Sequence, residues 1–223
     1  MTLDAVIFDL DDTLIDWWGS LDRCLRSIAD DALVDSLQDF CRRELWQTDP
    51  TGSFVWHRNT WALHSQRTDV WPRALPSWDA GERELVMRRF DEELWVGFFH
   101  DTVPTLDVLV DSHRLAVMSN NHLLPAEVER LRLNDWFEAC VCPPIEQRKP
   151  DPAAFRLVLD ALGIGPNRAV YVGDSVKADV LGARAAGLIP VWLDHWGDEW
   201  VDRPTGVHRI ATLGELPPLL DEL

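Results

Sequence analysis

Lysine is nearly absent from this chain: of its 21 basic residues only Lys149 and Lys177 are lysine, and the other nineteen are arginine. A lysine is a compact, mobile point charge where arginine is a planar fork, so a chain that spells its cations as arginine singles out position 149 as a place that needs the point charge. Cysteine is also scarce. Cys24, Cys41, Cys140 and Cys142 have neither the spacing of a disulfide framework nor that of a zinc site, and for the pair in Cys140-Val141-Cys142, with no second pair to match it, ordinary apolar burial is the expectation. His57, His64, His113, His122 and His195 likewise lack metal-ligand spacing. There is no apolar run of transmembrane length, no low-complexity tract and no repeat, and the first residues carry Asp4 and Asp9 rather than a basic leader, so a cytoplasmic protein is expected. Positive charge is lacking overall. The formal net charge of −17 argues against sequence-independent contact with nucleic acid or an anionic membrane and requires any anionic substrate to be met by a local cation.

Composition is that of a globular protein, 46% hydrophobic and 26% charged, and 223 residues are enough for one domain with a sizeable insertion. The stretch Ala5-Val6-Ile7-Phe8-Asp9-Leu10-Asp11-Asp12-Thr13-Leu14 reads as a buried strand that surfaces carrying two carboxylates spaced i, i+2. Asp-Asp-Thr at that point also suits a helix cap. From Asp16 to Val96 no strand pattern occurs. Apolar residues at helical spacing (Leu21, Leu25, Ile28; Leu37, Phe40, Cys41; Val86, Phe90, Leu94) predict an inserted helical domain over 16–96. It holds eight of the twelve tryptophans, ten arginines and no lysine. Most of these rings are expected to pack in that domain's core, with Trp17 and Trp18, close after Thr13, as candidates to meet substrate.

Beyond residue 97 helix and strand alternate, which predicts a parallel sheet with crossover helices, and the core is assigned to 1–15 and 97–223. Three strands end in polar residues: Asp9/Asp11, Ser119/Asn120 after Leu115–Met118, and Asp174/Ser175 after Ala169–Val172. Parallel strands show their carboxyl ends on one edge, so these ends and the Lys149 loop are placed to converge. Clustered aspartates repel and need a counter-charge, and a hard divalent cation such as magnesium suits oxygen ligands without His or Cys. Ser119, Asp174 and Lys149 taken singly also read as caps or a solvated loop cation.

At these residues the chain resembles the haloacid dehalogenase-like hydrolase superfamily, whose four motifs stand here in order. They are Asp9-Leu10-Asp11-Asp12-Thr13, Ser119, Lys149 within Arg-Lys-Pro-Asp, and Gly173-Asp174-Ser175-Val176-Lys177-Ala178-Asp179. The resemblance implies an α/β fold, a Rossmann-like parallel sheet with flanking helices plus an inserted helical cap domain. It implies a magnesium-dependent phosphatase acting on a small phosphate monoester through an aspartyl-phosphate. Asp9 is then the nucleophile and Asp11 the general acid and base; Ser119 and Asn120 donate to phosphoryl oxygens, and Lys149 neutralises charge. Asp9, the Asp11 main-chain carbonyl and Asp174 are the expected metal ligands, with Thr13, Ser175 and Asp179 supporting them. Substrate contact is also assigned to Trp17. Three rivals remain open on the sequence: a hydrolytic dehalogenase, which typically lacks the second acid of the first motif, a hexose-phosphate mutase, and a non-catalytic binding module.

Overall fold

The computed structural model describes residues 3–29, 31–44, 70–198 and 200–223. Trp46, Trp56, Trp61, His57 and His64 lie outside these residues. The chain forms two compact units, one from Met1–Ile15 with Phe98–Leu223 and the other from Asp16–Gly97.

The first unit is built on six parallel strands: β1 (Ala5–Phe8), β2 (Arg114–Met118), β3 (Ala139–Val141), β4 (Ala169–Gly173), β5 (Ile189–Leu193) and β6 (His208–Ile210). Their order in the sheet is β3-β2-β1-β4-β5-β6. Strand β1 lies at the centre, and all four of its residues are fully buried, which is why it reads as an uninterrupted apolar run rather than an alternating one. Helices Thr102–Leu109, Leu124–Arg130 and Pro152–Leu162 form the crossovers. The last of these buries Ala154, Phe155, Val158, Leu159 and Leu162, starts on an Asp151 cap with proline in its first turn, and stops at Gly163 in the left-handed conformation. After β4 the chain makes a π-helical turn, Val176–Leu181, before the short helix Gly182–Ala185. A helix at Leu216–Asp221 closes the chain.

The register decides where the polar strand ends fall. Phe8 pairs with Val117 on one side and Val172 on the other, so Asp9 stands level with Met118 and Gly173. Ser119 and Asp174 follow one residue beyond on either flank. Past this turn Ile15 bridges Phe98, and Phe99 N–H donates to the Leu14 carbonyl at 3.1 Å.

The regular structure among the second unit's described residues is helical: Trp17–Ile28, Asp31–Glu44, residues 70–74 and Ala80–Glu93. Its own apolar core contains Leu21, Leu25, Val34, Leu37, Val70, Trp71 and Phe90. Asp16 caps the first helix by accepting from Gly19 N at 2.9 Å, and Asp79 with Glu82 forms a reciprocal capping box on the last. Trp17, Trp18 and Trp78 are partly buried against this core, whereas Trp95 is exposed. Contrary to the expectation of apolar burial, Cys140 on edge strand β3 and Cys142 just past its end are only half-buried, while Cys24 is buried.

Candidate functional site

Asp9 leaves the end of β1 with its N–H bonded to the Val172 carbonyl at 2.9 Å, which fixes the main chain at the point where the first carboxylate emerges. The turn then tightens: Leu14 N and Ile15 N both donate to the Leu10 carbonyl, and Asp12 sits at a φ of 57°. Asp12 is thus a turn residue in the left-handed region that Asp and Asn tolerate better than other non-glycine residues.

Lys149 joins this turn to β4 and the segment behind it. Its ammonium lies 2.5 Å from Asp9 Oδ1, 2.6 Å from Asp179 Oδ1 and 2.9 Å from the Tyr171 hydroxyl, and the residue is 7% exposed. Burial acts to lower the Lys149 pKa, but the Asp179 and Asp9 carboxylates outweigh it and hold the ammonium well above its ordinary range. Asp179, itself buried, has its other oxygen on Ser175 N at 3.0 Å. The π-helical turn brings Asp179 back over the end of β4. A Cβ at Gly173 would lie 2.4 Å from Asp179 Cγ, so glycine is required there by close approach of the side chain.

The second carboxylate of the turn is held separately. Asp11 Oδ2 accepts from Ser119 Oγ at 3.1 Å and Oδ1 from Asn121 Nδ2 at 3.2 Å. Thr13 Oγ1 accepts from Asp174 N at 3.2 Å, and the Trp192 indole donates to the Asp174 carbonyl at 3.1 Å, so both main-chain ends of Asp174 are tied down.

The structure thus brings together Asp9, Asp11, Thr13, Ser119, Lys149, Asp174, Ser175 and Asp179. Two expected site residues stand differently. Asn120 was expected to donate to a substrate oxygen, but its side chain is engaged with the Lys149 main chain, accepting from N at 2.9 Å and donating to O at 3.0 Å. An amide using both ends in this way is a clamp on the lysine loop. Trp17 belongs to the helical unit and packs, half-buried, against that unit's core. Tyr171, Asn121 and Trp192 were not anticipated. The one available signal was that Tyr171 is the chain's single tyrosine, inside an apolar strand where its hydroxyl must find a partner.

Four carboxylates, Asp9, Asp11, Asp174 and Asp179, thus face a single ammonium. Burial, opposed by Lys149 and reinforced by the charges of Asp179 and Asp11, pushes the Asp9 carboxyl up to about 8. Burial also raises Asp11 against the hydrogen bonds from Asn121 and Ser119. Asp174 is held well above the usual carboxylate range by burial and then by the charges of Asp179, Asp12 and Asp9. All three shifts mark a site short of positive charge. Oxygens of Asp9, Asp174 and Asp179 lie within 4.8 Å of one another, and the donor set is oxygen only, which suits magnesium. Within this trio Asp179 already accepts from Lys149, Tyr171 and Ser175, leaving Asp9 and Asp174 as the better-placed ligands.

Residues 3–187 match the family model described as haloacid dehalogenase-like hydrolase. The chain is 25% identical to N-acylneuraminate-9-phosphatase of Rattus norvegicus, over 98% of this chain and 94% of that protein. It is 28% identical to ribulose-1,5-bisphosphate 5-phosphatase of Halopiger xanaduensis, over 97% and 98%. Among solved structures it is similar to 2-haloacid dehalogenase from Pseudomonas syringae pv. Tomato DC3000, with a TM-score of 0.61, 26% identity and 99% of each chain covered.

Proposed function

The chain belongs to the haloacid dehalogenase-like hydrolases, and from that membership we propose that it is a magnesium-dependent phosphatase of small phosphate monoesters, with Asp9 as nucleophile. The observation that carries this reading is the separate handling of two carboxylates on one turn: Asp9 on Lys149 and Asp11 on Ser119 and Asn121. A nucleophile must be fixed and unprotonated: the 2.5 Å contact to the Lys149 ammonium fixes Asp9 and opposes the burial that raises its carboxyl, and a bound magnesium would supply the further positive charge that keeps it ionised. An acid must be able to hold a proton, which burial of Asp11 favours.

In this reading an Asp9 oxygen attacks phosphorus while the bond to the ester oxygen breaks. The departing electron pair stays on that oxygen, which takes a proton from Asp11. Asp11, now a carboxylate, accepts a proton from water as the water attacks the aspartyl-phosphate, and Asp9 is regenerated with release of inorganic phosphate. Ser119 supplies a hydroxyl to the phosphoryl oxygens, and Lys149, positioned by Asn120 and Asp179, neutralises charge as it builds. Magnesium, held by Asp9, Asp174 and the Asp11 carbonyl, would supply the remaining positive charge that the cluster lacks. Residues 16–96 are proposed as a cap that selects the leaving group, with Trp17 and Trp18 as candidate contacts.

One rival has a specific likeness behind it, the similarity to a solved 2-haloacid dehalogenase. Halide leaves without a proton, so that chemistry gives Asp11 and its two hydrogen bonds no acid role. The deciding experiment measures phosphate release from p-nitrophenyl phosphate, N-acylneuraminate 9-phosphate, ribulose 1,5-bisphosphate, nucleotides and hexose phosphates, with magnesium and with EDTA, beside halide release from 2-chloropropionate. Magnesium-dependent phosphate release is expected. Halide release that persists in EDTA, without phosphatase activity, would replace this reading by the dehalogenase.

A further inference from the structure

Ser119-Asn120-Asn121 follows β2 as a run of three polar residues, and the structure divides them among different tasks. Ser119 Oγ reaches Asp11, Asn120 clamps the main chain of Lys149, and Asn121 alone has its side-chain amide on an oxygen of Asp11. The orientation of that amide follows from its second partner. Asn121 Oδ1 accepts from Leu123 N at 3.0 Å, so rotating the amide to put oxygen toward Asp11 would set two acceptors against each other and leave the Leu123 N–H without this acceptor. The main chain of Asn121 is anchored too: its N–H donates to Ser119 Oγ at 3.0 Å, and its carbonyl accepts from Cys142 Sγ at 3.4 Å at the end of β3.

We propose that Asn121 is a positioning residue that fixes the carboxyl plane of Asp11 for proton transfer to the leaving group. The inference rests on the phosphatase reading and adds a residue which that reading does not need for nucleophilic attack. The Ser119 hydroxyl has a single proton, and because its oxygen already accepts from Asn121 N, that proton is directed at Asp11 before substrate arrives. When the hydroxyl turns to a phosphoryl oxygen, Asp11 Oδ2 loses this donor. The Asn121 amide then remains on Oδ1, and an amide N–H can only donate. It keeps Oδ1 as an acceptor and leaves the proton of the acid form to be carried outside that contact. As the ester P–O bond breaks, its electron pair goes to the ester oxygen, the Asp11 proton follows, and the carboxylate formed gains a charge-assisted hydrogen bond from Asn121.

The test uses leaving groups of similar shape and different basicity. Nitrophenolate departs from p-nitrophenyl phosphate with little need of a proton, whereas phenolate, the stronger base, leaves phenyl phosphate with acid assistance. The quantity read is kcat/KM, which reports the steps through departure of the leaving group and not the later hydrolysis of aspartyl-phosphate. Asn121→Ala removes the amide and its contact to Leu123; Asn121→Ser keeps an uncharged acceptor for Leu123 N in the same kind of turn and is too short to donate to Asp11. In both, kcat/KM for phenyl phosphate is expected to fall by roughly tenfold more than for p-nitrophenyl phosphate, the size of one lost hydrogen bond to a charged group. If Asn121→Ala fails to fold, Asn121→Ser decides alone. Equal losses on the two esters, or no loss on either, in a variant with the wild-type circular dichroism spectrum, overturn the proposal. Wild-type protein that hydrolyses neither ester with magnesium present overturns the phosphatase reading instead.

Discussion

Replacing Asp9 by Asn removes a buried negative charge and keeps the side chain's shape, so it separates the catalytic need for that charge from its cost to the fold. The cost can be worked from the site. In the metal-free protein the Asp9 carboxyl is raised from 3.8 to about 8, chiefly by burial, with Lys149 opposing and Asp179 and Asp11 adding to it. Between these values the folded chain holds a proton that the unfolded chain has lost. A carboxyl raised in this way contributes stability that is fully present below about pH 4 and disappears as pH climbs through about 8. At about 1.4 kcal/mol per unit, the contribution at stake is on the order of 5 kcal/mol, a ceiling because the site relaxes. Asn does not titrate. In EDTA, Asp9→Asn should therefore be close to wild type in stability near about pH 5 and more stable by several kcal/mol near about pH 9, as the raised Asp9 becomes ionised. That corresponds to a rise of roughly ten degrees in the thermal transition of the sheet unit. Saturating magnesium should close the gap by binding the ionised wild-type site more tightly than the variant. Phosphatase turnover of the variant should fall below a few per cent, with deamidation to Asp excluded by mass spectrometry. A stability gap that stays constant from about pH 5 to about pH 9 in EDTA would refute the claim that Asp9 bears an uncompensated charge.

Activity should require magnesium and fall when calcium replaces it, because calcium's looser, higher coordination can draw both Asp9 oxygens onto the metal; equal turnover with the two ions would count against Asp9 as attacking ligand. Gly173→Ala should displace Asp179, since the new Cβ would stand 2.4 Å from its Cγ, and lower stability by about 1–3 kcal/mol together with activity; a variant of unchanged melting temperature would show that Asp179 moves without consequence. Trp17→Ala and Trp18→Ala should each destabilise the helical unit, given their packing on its core, and should also alter the ranking of aryl, nucleotide and sugar phosphates by kcat/KM. Variants that lose stability and keep the wild-type ranking would assign both rings to packing alone.

The sheet was legible because each strand of the site switches abruptly from apolar to polar residues, and because helices and strands alternate beyond residue 97. Which of two adjacent polar residues reaches which partner was not legible. Asn120 and Asn121 are chemically identical and differ only in the direction the chain gives them after β2: one takes the Lys149 loop and the other Asp11. Such directions are set by the turn that follows the strand, and neither propensity nor period tells the two positions apart. Tyr171 was hidden for the opposite reason, since an aromatic ring in an apolar strand fits strand propensity and conceals the hydroxyl that receives Lys149. The helix at Leu216–Asp221 also went unread, because Pro217 and Pro218 suggest a break; they lie in its first turn, where no N–H is needed.

The scarcity of lysine has a geometric counterpart at position 149. Its ammonium meets three oxygens from three places in the chain, Asp9 after β1, Tyr171 within β4 and Asp179 on the π-helical turn, all within 2.9 Å. Three acceptors converging on one atom match the three N–H bonds of an ammonium. A guanidinium spreads its donors in a plane around a carbon and suits two parallel acceptors of one carboxylate, as in the Arg114 pair with both oxygens of Glu138 at the surface. Within a space that leaves Lys149 7% exposed, the planar group would have to force apart Asp9 and Asp179 or give up one of them. The other lysine, Lys177, is exposed and bears no such demand; at position 149 the charge must be a point shared between two buried carboxylates, and there a lysine stands where the chain otherwise spells nearly all its cations as arginine.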